Sequence, residues 1–158
     1  MGNPMRAIAI RKFGDTPELM DLPKPTPGEG EVLVHLGAAG VNPFDWKLAD
    51  GLLDGKMPHV FPFIYGVDGA GAVEEVGPGV KRLAVKDGVF GQFFHAPVGT
   101  GTYAEYVVAP ESNAIALRPR GMYHDQAAAL PMPGMTALDA LDRLGLEKRQ
   151  SLLILGAG

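Results

Sequence analysis

The sequence predicts a mainly β chain with short helices, an α+β class, from three observations. Short apolar runs of strand length recur through the first two thirds of its 158 residues. Twenty-two glycines and fourteen prolines fall between those runs, without repeats or low-complexity tracts. Helical periodicity sets in only after Pro119-Arg120-Gly121. Short strands separated by Gly/Pro turns are how a turn-rich barrel or sandwich reads.

Met5–Ile10 alternates enough to be a first strand, and Asp21–Glu31, with Pro23, Pro25, Pro27 and Gly28, reads as an extended connector. In Glu31–Leu36 the residues Val32, Val34 and Leu36 share one face, as in a half-buried strand. Val67–Val76 is a strand in which Gly69 and Gly71 mark a bulge or a close backbone approach. Gly77-Pro78-Gly79 is a turn, and Val85–Phe94 and Thr102–Val108 are two further strands. Asp125–Leu130 reads as a short helix ended by Pro131. Gly134–Leu144 is a clearer helix: Leu138, Leu141 and Leu144 share a face, and Gly145 ends it. Last comes a buried-type strand, Leu152–Leu155, entering Gly156-Ala157-Gly158. Such a strand followed by G-x-G is the first half of a dinucleotide-binding fingerprint, whose helix N-terminus holds a pyrophosphate. The expectation is a chain that breaks off there, with a second domain beginning near Gln150.

Fourteen basic and eighteen acidic residues leave a net charge of −4 with no block of like charge. Nucleic-acid or anionic-membrane binding through a basic face is therefore not expected. After Arg6 only four apolar residues precede Arg11-Lys12, and no apolar run reaches the ~18 residues of a membrane span, so a cytoplasmic setting is expected. The absence of cysteine removes disulfides, thiolate nucleophiles and cysteine-ligated zinc. His35, His59, His95 and His124 are scattered with no ligand spacing, so no metal site is expected.

The segment Gly40–Gly51 carries the chemistry. Asn42 is a natural N-cap, Pro43 suits the first helical position, and Asp45 stands three residues past the cap, as in a capping box. Gly51 can end the turn in left-handed geometry. Spacing alone is satisfied by a short tied-down helix with Trp46 as a core aromatic.

Gly40-Val41-Asn42-Pro43-Phe44-Asp45-Trp46-Lys47 also resembles the G-V-N-P-x-D-W-K signature of zinc-independent medium-chain dehydrogenases/reductases of the quinone oxidoreductase type. Further pieces follow in order. Pro62–Gly71 is similar to P-F-x-x-G-x-D-x-A-G, Val76–Val80 to V-G-x-G-V, Asp87–Gly91 to D-x-V-x-G, and Gly101–Tyr106 to G-x-Y-A-E-Y. Ala127–Pro131 with Thr136-Ala137 resembles A-A-A-L-P … T-A. One departure is Val85-Lys86-Asp87-Gly88-Val89, where the family often has V-G-D-R-V, so the turn glycine is displaced.

The resemblance implies a GroES-like, β-barrel-cored catalytic domain over residues 1–149, then the first strand and partial glycine motif of a Rossmann domain over 150–158. It implies NADP(H) as cofactor, with Gly156 and Gly158 opening the phosphate cradle, and a small-molecule quinone or enone as substrate. Homodimerisation of the longer protein is a further expectation. Zinc members of the superfamily carry a cysteine at the position of Asn42 and a histidine at that of Val67; without those ligands the implied reaction is metal-free hydride transfer to a quinone or an α,β-unsaturated carbonyl. By the same resemblance Asn42 orients the nicotinamide or carbonyl, and Lys47 stabilises or protonates the enolate unless it is a solvated helix lysine. Asp45, a further catalytic candidate, organises this helix and its lysine or else accepts protons, Val67 lines an apolar pocket wall or the core, and Thr136 bonds the nicotinamide end or packs in its own helix. The 158 residues alone are expected to be inactive. The alternative is a non-enzymatic barrel module that binds a partner or a small apolar ligand.

Overall fold

A computed structural model describes residues 4–156. Its nine strands lie in two sheets rather than one closed barrel. The four-stranded sheet has the order β2 (Glu18–Pro23), β1 (Pro4–Ile10), β4 (His59–Ile64), β7 (Val98–Thr100). The five-stranded sheet has the order β8 (Tyr106–Pro110), β3 (Glu31–Ala39), β5 (Asp68–Val76), β6 (Gly88–Gln92), β9 (Ile115–Leu117). Three helices complete it: α1 (Pro43–Ala49), α2 (His124–Ala128) and α3 (Pro131–Leu144).

Alternation places Val32, Val34, Val73, Val89 and Val107 in one core with Phe93, under the five-stranded sheet. A second core gathers Ile10, Leu48, Phe63 and Val67 between α1 and the other sheet. The close approach expected at Gly71 is real. A Cβ there would sit 2.1 Å from the His35 carbonyl oxygen, and β3 slips register between Leu36 and Ala38 beside it. Only glycine lets the two backbones meet this closely.

Several elements differ from expectation. Asp21–Pro23 belongs to β2, because Met20 and Leu22 pair with Ala7 and Met5 of β1 and so extend the sheet into the connector. The strand expected over 85–94 shrinks to β6, since Lys86 (φ +77) turns the chain just before it. Residues 102–105 pass irregularly between the sheets, joined by one bridge from Ala104 to Ala7, so the expected strand over 102–108 becomes β8. Pro131 opens α3 rather than merely ending α2, at the first helical position, where its missing N–H costs nothing. Trp46 is 48% exposed on the outer face of α1, not a core aromatic. Leu152–Leu155 is exposed and in no sheet, with a bend at Leu155, because no described strand lies beside it to complete a ladder.

α2 rests on the five-stranded sheet through Ala127 and Ala128, which pack on Ala70. α3 begins there and then leaves the body: Pro131 is its one buried residue, while Leu138 and Leu144 stand 60% and 59% exposed.

Candidate functional site

The end of β3, α1, the start of β5 and the first turn of α3 converge on two buried carboxylates. Gly40 lets the end of β3 pack closely on α2 and β5: a Cβ there would lie 2.4 Å from the Ala128 carbonyl oxygen and 3.0 Å from the Asp68 Cβ. Asn42 caps α1 with an extended backbone (φ −126°, ψ 148°), and Asp45 accepts its N–H at 2.7 Å, as the capping-box spacing predicts. The Tyr103 hydroxyl donates to the same Asp45 Oδ2 at 2.9 Å. The Asn42 side chain reaches across to β5, where its Nδ2 donates to Asp68 Oδ2 at 3.0 Å. That oxygen also accepts the Met132 N–H of α3 at 2.8 Å. Asp68 therefore caps α3 from another element, since Leu130 at the N-cap has no side-chain acceptor. Thr102 closes the cluster by donating its hydroxyl to the Asp68 carbonyl at 2.8 Å.

Asp45 and Asp68 are only 2% and 1% exposed, and Oδ1 of each has no partner among the described residues. Burial raises both carboxyls above the usual carboxylate range, although hydrogen bonds from Asn42 and Tyr103 (to Asp45) and from Met132 and Asn42 (to Asp68) pull the other way. The negative charge of Asp45 raises Asp68 further. Burial and the same Asp45 charge hold the Tyr103 hydroxyl firmly protonated.

In front of this network lies a groove of about 360 Å³, walled by Phe44 of α1, Gln92 and Phe94, and Met132, Met135 and Thr136 of α3. Phe44 and Phe94 meet edge to face at 5.6 Å. Thr136 thus stands on the groove, its hydroxyl donating to the Met132 carbonyl at 2.7 Å. Asn42 (7% exposed), Asp45 and Val67 (2%) lie behind it, Val67 in the core against which Phe44, Phe94 and Met132 pack. Val67 also borders a crevice of about 20 Å³. Lys47 is exposed in the last turn of α1 and is not one of the groove walls. Gly156 is exposed with φ +73, and Gly158 lies outside the described residues.

The sequence reading gave no role to Asp68, Tyr103 or the groove aromatics. Asp68 had a signal: it is the one charged residue in the otherwise apolar run Val67–Val73. Tyr103 had none, because nothing in its neighbours predicts a bond to a residue 58 positions away. Among the described residues no three His, Asp or Glu side chains are grouped to hold a metal ion. No described helix is long and apolar enough to cross a membrane.

The sequence matches the family described as "Alcohol dehydrogenase GroES-like domain" over residues 28–119. It is 39% identical over 143 residues to the chloroplast envelope quinone oxidoreductase homolog of Arabidopsis thaliana, covering 89% of this chain and 43% of that protein. It is 36% identical over 132 residues to the 2-methylene-furan-3-one reductase of Solanum lycopersicum, covering 81% of this chain and 34% of that one. Among solved structures, the quinone oxidoreductase from Coxiella burnetii superposes with a TM-score of 0.78 at 31% identity, over 93% of this chain and 47% of its own. The chain spans less than half the length of these relatives.

Proposed function

Because the chain belongs to the alcohol dehydrogenase GroES-like domain family, we propose that it supplies the substrate-side lobe of a zinc-independent, NADP(H)-dependent oxidoreductase acting on quinones or α,β-unsaturated carbonyls. The observation that carries this reading is the apolar groove on which Phe44, Phe94 and Thr136 meet, backed by a buried amide-and-carboxylate network. A flat unsaturated ring fits against an apolar wall built of aromatic and methionine side chains. The donor set behind the wall agrees: Asn42 offers a carboxamide and Val67 an isopropyl group, neither of which holds zinc as thiolate or imidazole would.

The nicotinamide cofactor, when bound, supplies the hydride. Thr136 is the residue of this chain that would meet its nicotinamide end. Reduction builds negative charge on the substrate oxygen, and donors aimed at that oxygen lower the barrier. In this reading Lys47, exposed in the last turn of α1, supplies the cation that stabilises or protonates the enolate. Asn42 holds the α1 end of the groove in place through Asp68, and Asp45 fixes Asn42 in turn. Residues 1–149 form the catalytic domain in this reading, and 150–158 open a nucleotide-binding domain that would cover the exposed leucines of α3 and Leu152–Leu155. Gly156 and Gly158 belong to its phosphate turn. A cytoplasmic setting and a homodimer of the longer protein are part of the same proposal.

Titration of the 158 residues with cyclohexenone, followed by amide shifts, tests the groove. Movement at Phe44, Phe94 and Thr136 is expected. NADPH is expected not to saturate in the micromolar range, since the helix N-terminus that holds a pyrophosphate is not among these residues. Stoichiometric zinc on the purified chain, or enone shifts confined elsewhere, would overturn the reading.

A further inference from the structure

We propose that the open seam between the two sheets is a second binding site, for a neutral ring-bearing ketone, separate from the groove on α1 and α3. β7 and β8 are edge strands of different sheets and do not pair with each other. Between them lies a cavity of about 440 Å³, in the range that encloses drug-sized ligands. Its lining shares no residue with the groove. Met5 and Ile64 come from the four-stranded sheet and Val108 from the five-stranded one, with Leu22 beside them.

Four of its lining residues are prolines: Pro23, Pro25, Pro62 and Pro97. A proline wall presents carbon without a backbone N–H and holds its φ, so little ordering is needed when a ligand enters. Among its polar lining residues, which include Thr26, Glu31 and Tyr106, His95 and Thr100 stand together. His95 Nε2 lies 3.0 Å from the Val108 carbonyl, and the Thr100 hydroxyl stands 3.4 Å from the same nitrogen. At that length the threonine contact is weak, which leaves its proton free for an acceptor on a ligand. Charge selects against anions. Glu31 is part of the lining, its carboxylate accepting the Gly28 N–H at 2.8 Å, and the nearby Lys24 is already paired with Glu74 and seated 4.1 Å above the Tyr106 ring. An apolar slot in which the Thr100 hydroxyl is available as a donor, with Thr26, Tyr106 and the acidic Glu31 elsewhere in its lining, fits an uncharged ring carrying one carbonyl. This inference does not rest on the proposed reaction and would survive its failure.

The test is titration of the chain with acetylnaphthalene, ethylnaphthalene and naphthoate, read by amide chemical shifts. Saturable shifts at Ile64, Thr100 and Val108 are expected for the ketone at sub-millimolar concentration. The hydrocarbon should bind about fivefold more weakly, the worth of one ordinary hydrogen bond, and the carboxylate more weakly still. Thr100→Val should erase the preference for ketone over hydrocarbon, and Leu22→Trp should block both. If Leu22→Trp fails to fold, Thr100→Val decides alone, with its unliganded amide spectrum as the check on folding. Shifts confined to Phe44, Phe94 and Thr136, the absence of saturation up to solubility, or a ketone preference surviving Thr100→Val would each overturn the proposal. So would shifts at the seam that follow protein concentration instead of ligand, since they would assign it to a second copy of the chain.

Discussion

Lys86 holds a left-handed backbone (φ +77), where a side chain costs about 1 kcal/mol or more. The turn persists because Lys86 N–H bonds to the Val73 carbonyl at 2.8 Å, and Asp87 takes the Ala84 N–H on its carboxylate, also at 2.8 Å. The family's usual glycine belongs at this position, and the chain keeps the geometry without the residue. Lys86→Gly is expected to stabilise by about 0.5–1 kcal/mol in urea unfolding, with Lys86→Ala giving no such gain. The buried carboxyls make a second prediction at this scale. Asp45 and Asp68 bind their protons more tightly folded than unfolded, so their contribution favours the fold below about pH 4 and is lost as pH rises through their raised native values. Glu105 and Glu111 oppose them. Backbone N–H groups of Arg6 and of Arg82 hold these carboxyls low, and that stability is lost as pH falls through their depressed values. Asp45→Asn, which mimics the protonated acid, is expected to shrink the fall in stability as pH rises from about 4. An undiminished fall would place the proton elsewhere.

At the scale of elements, Asp68 is the tie between β5 and α3. Its carboxylate receives one N–H from the first turn of a helix that otherwise touches the body only at its start. Asp68→Ala should cost about 2 kcal/mol, because both Asn42 Nδ2 and the Met132 N–H lose a buried acceptor. Hydrogen exchange should quicken over residues 132–136 before it does in β5; uniform quickening would mean the loss is general. Capping of this kind is invisible to local rules. The α1 cap was legible because Asn42, Pro43 and Asp45 are neighbours in the chain, whereas the α3 cap comes from 64 residues away. The same distinction separates the strands. β1, β3 and β5 alternate clearly enough to read, while β4, β7 and β9 are short or proline-bearing and exist because a neighbour supplies their ladder.

For the whole molecule, the decisive feature is the face left uncovered. Leu138, Leu141 and Leu144 line one side of α3 and remain exposed, and the chain continues through exposed Leu152–Leu155. An apolar strip of this extent drives association when nothing covers it. Replacing the three α3 leucines with glutamine is expected to lower self-association in sedimentation, with stability unchanged to within about 0.5 kcal/mol. A large loss of stability would show that α3 packs inward after all.

The sequence by itself determined the mainly β class, the α1 turn from Asn42 to Gly51, and the ordered motifs that carry the family. Each of these depends on residues close together in the chain, where period, caps and turn chemistry act directly. Tertiary structure alone decided that the sheets stay open at β7 and β8, that Trp46 faces outward, and that Asp45 and Asp68 meet through Asn42 behind a groove. Those outcomes depend on which surfaces find partners across long separations, and burial, which sets both packing and proton affinity, belongs to the folded assembly rather than to any local run of residues.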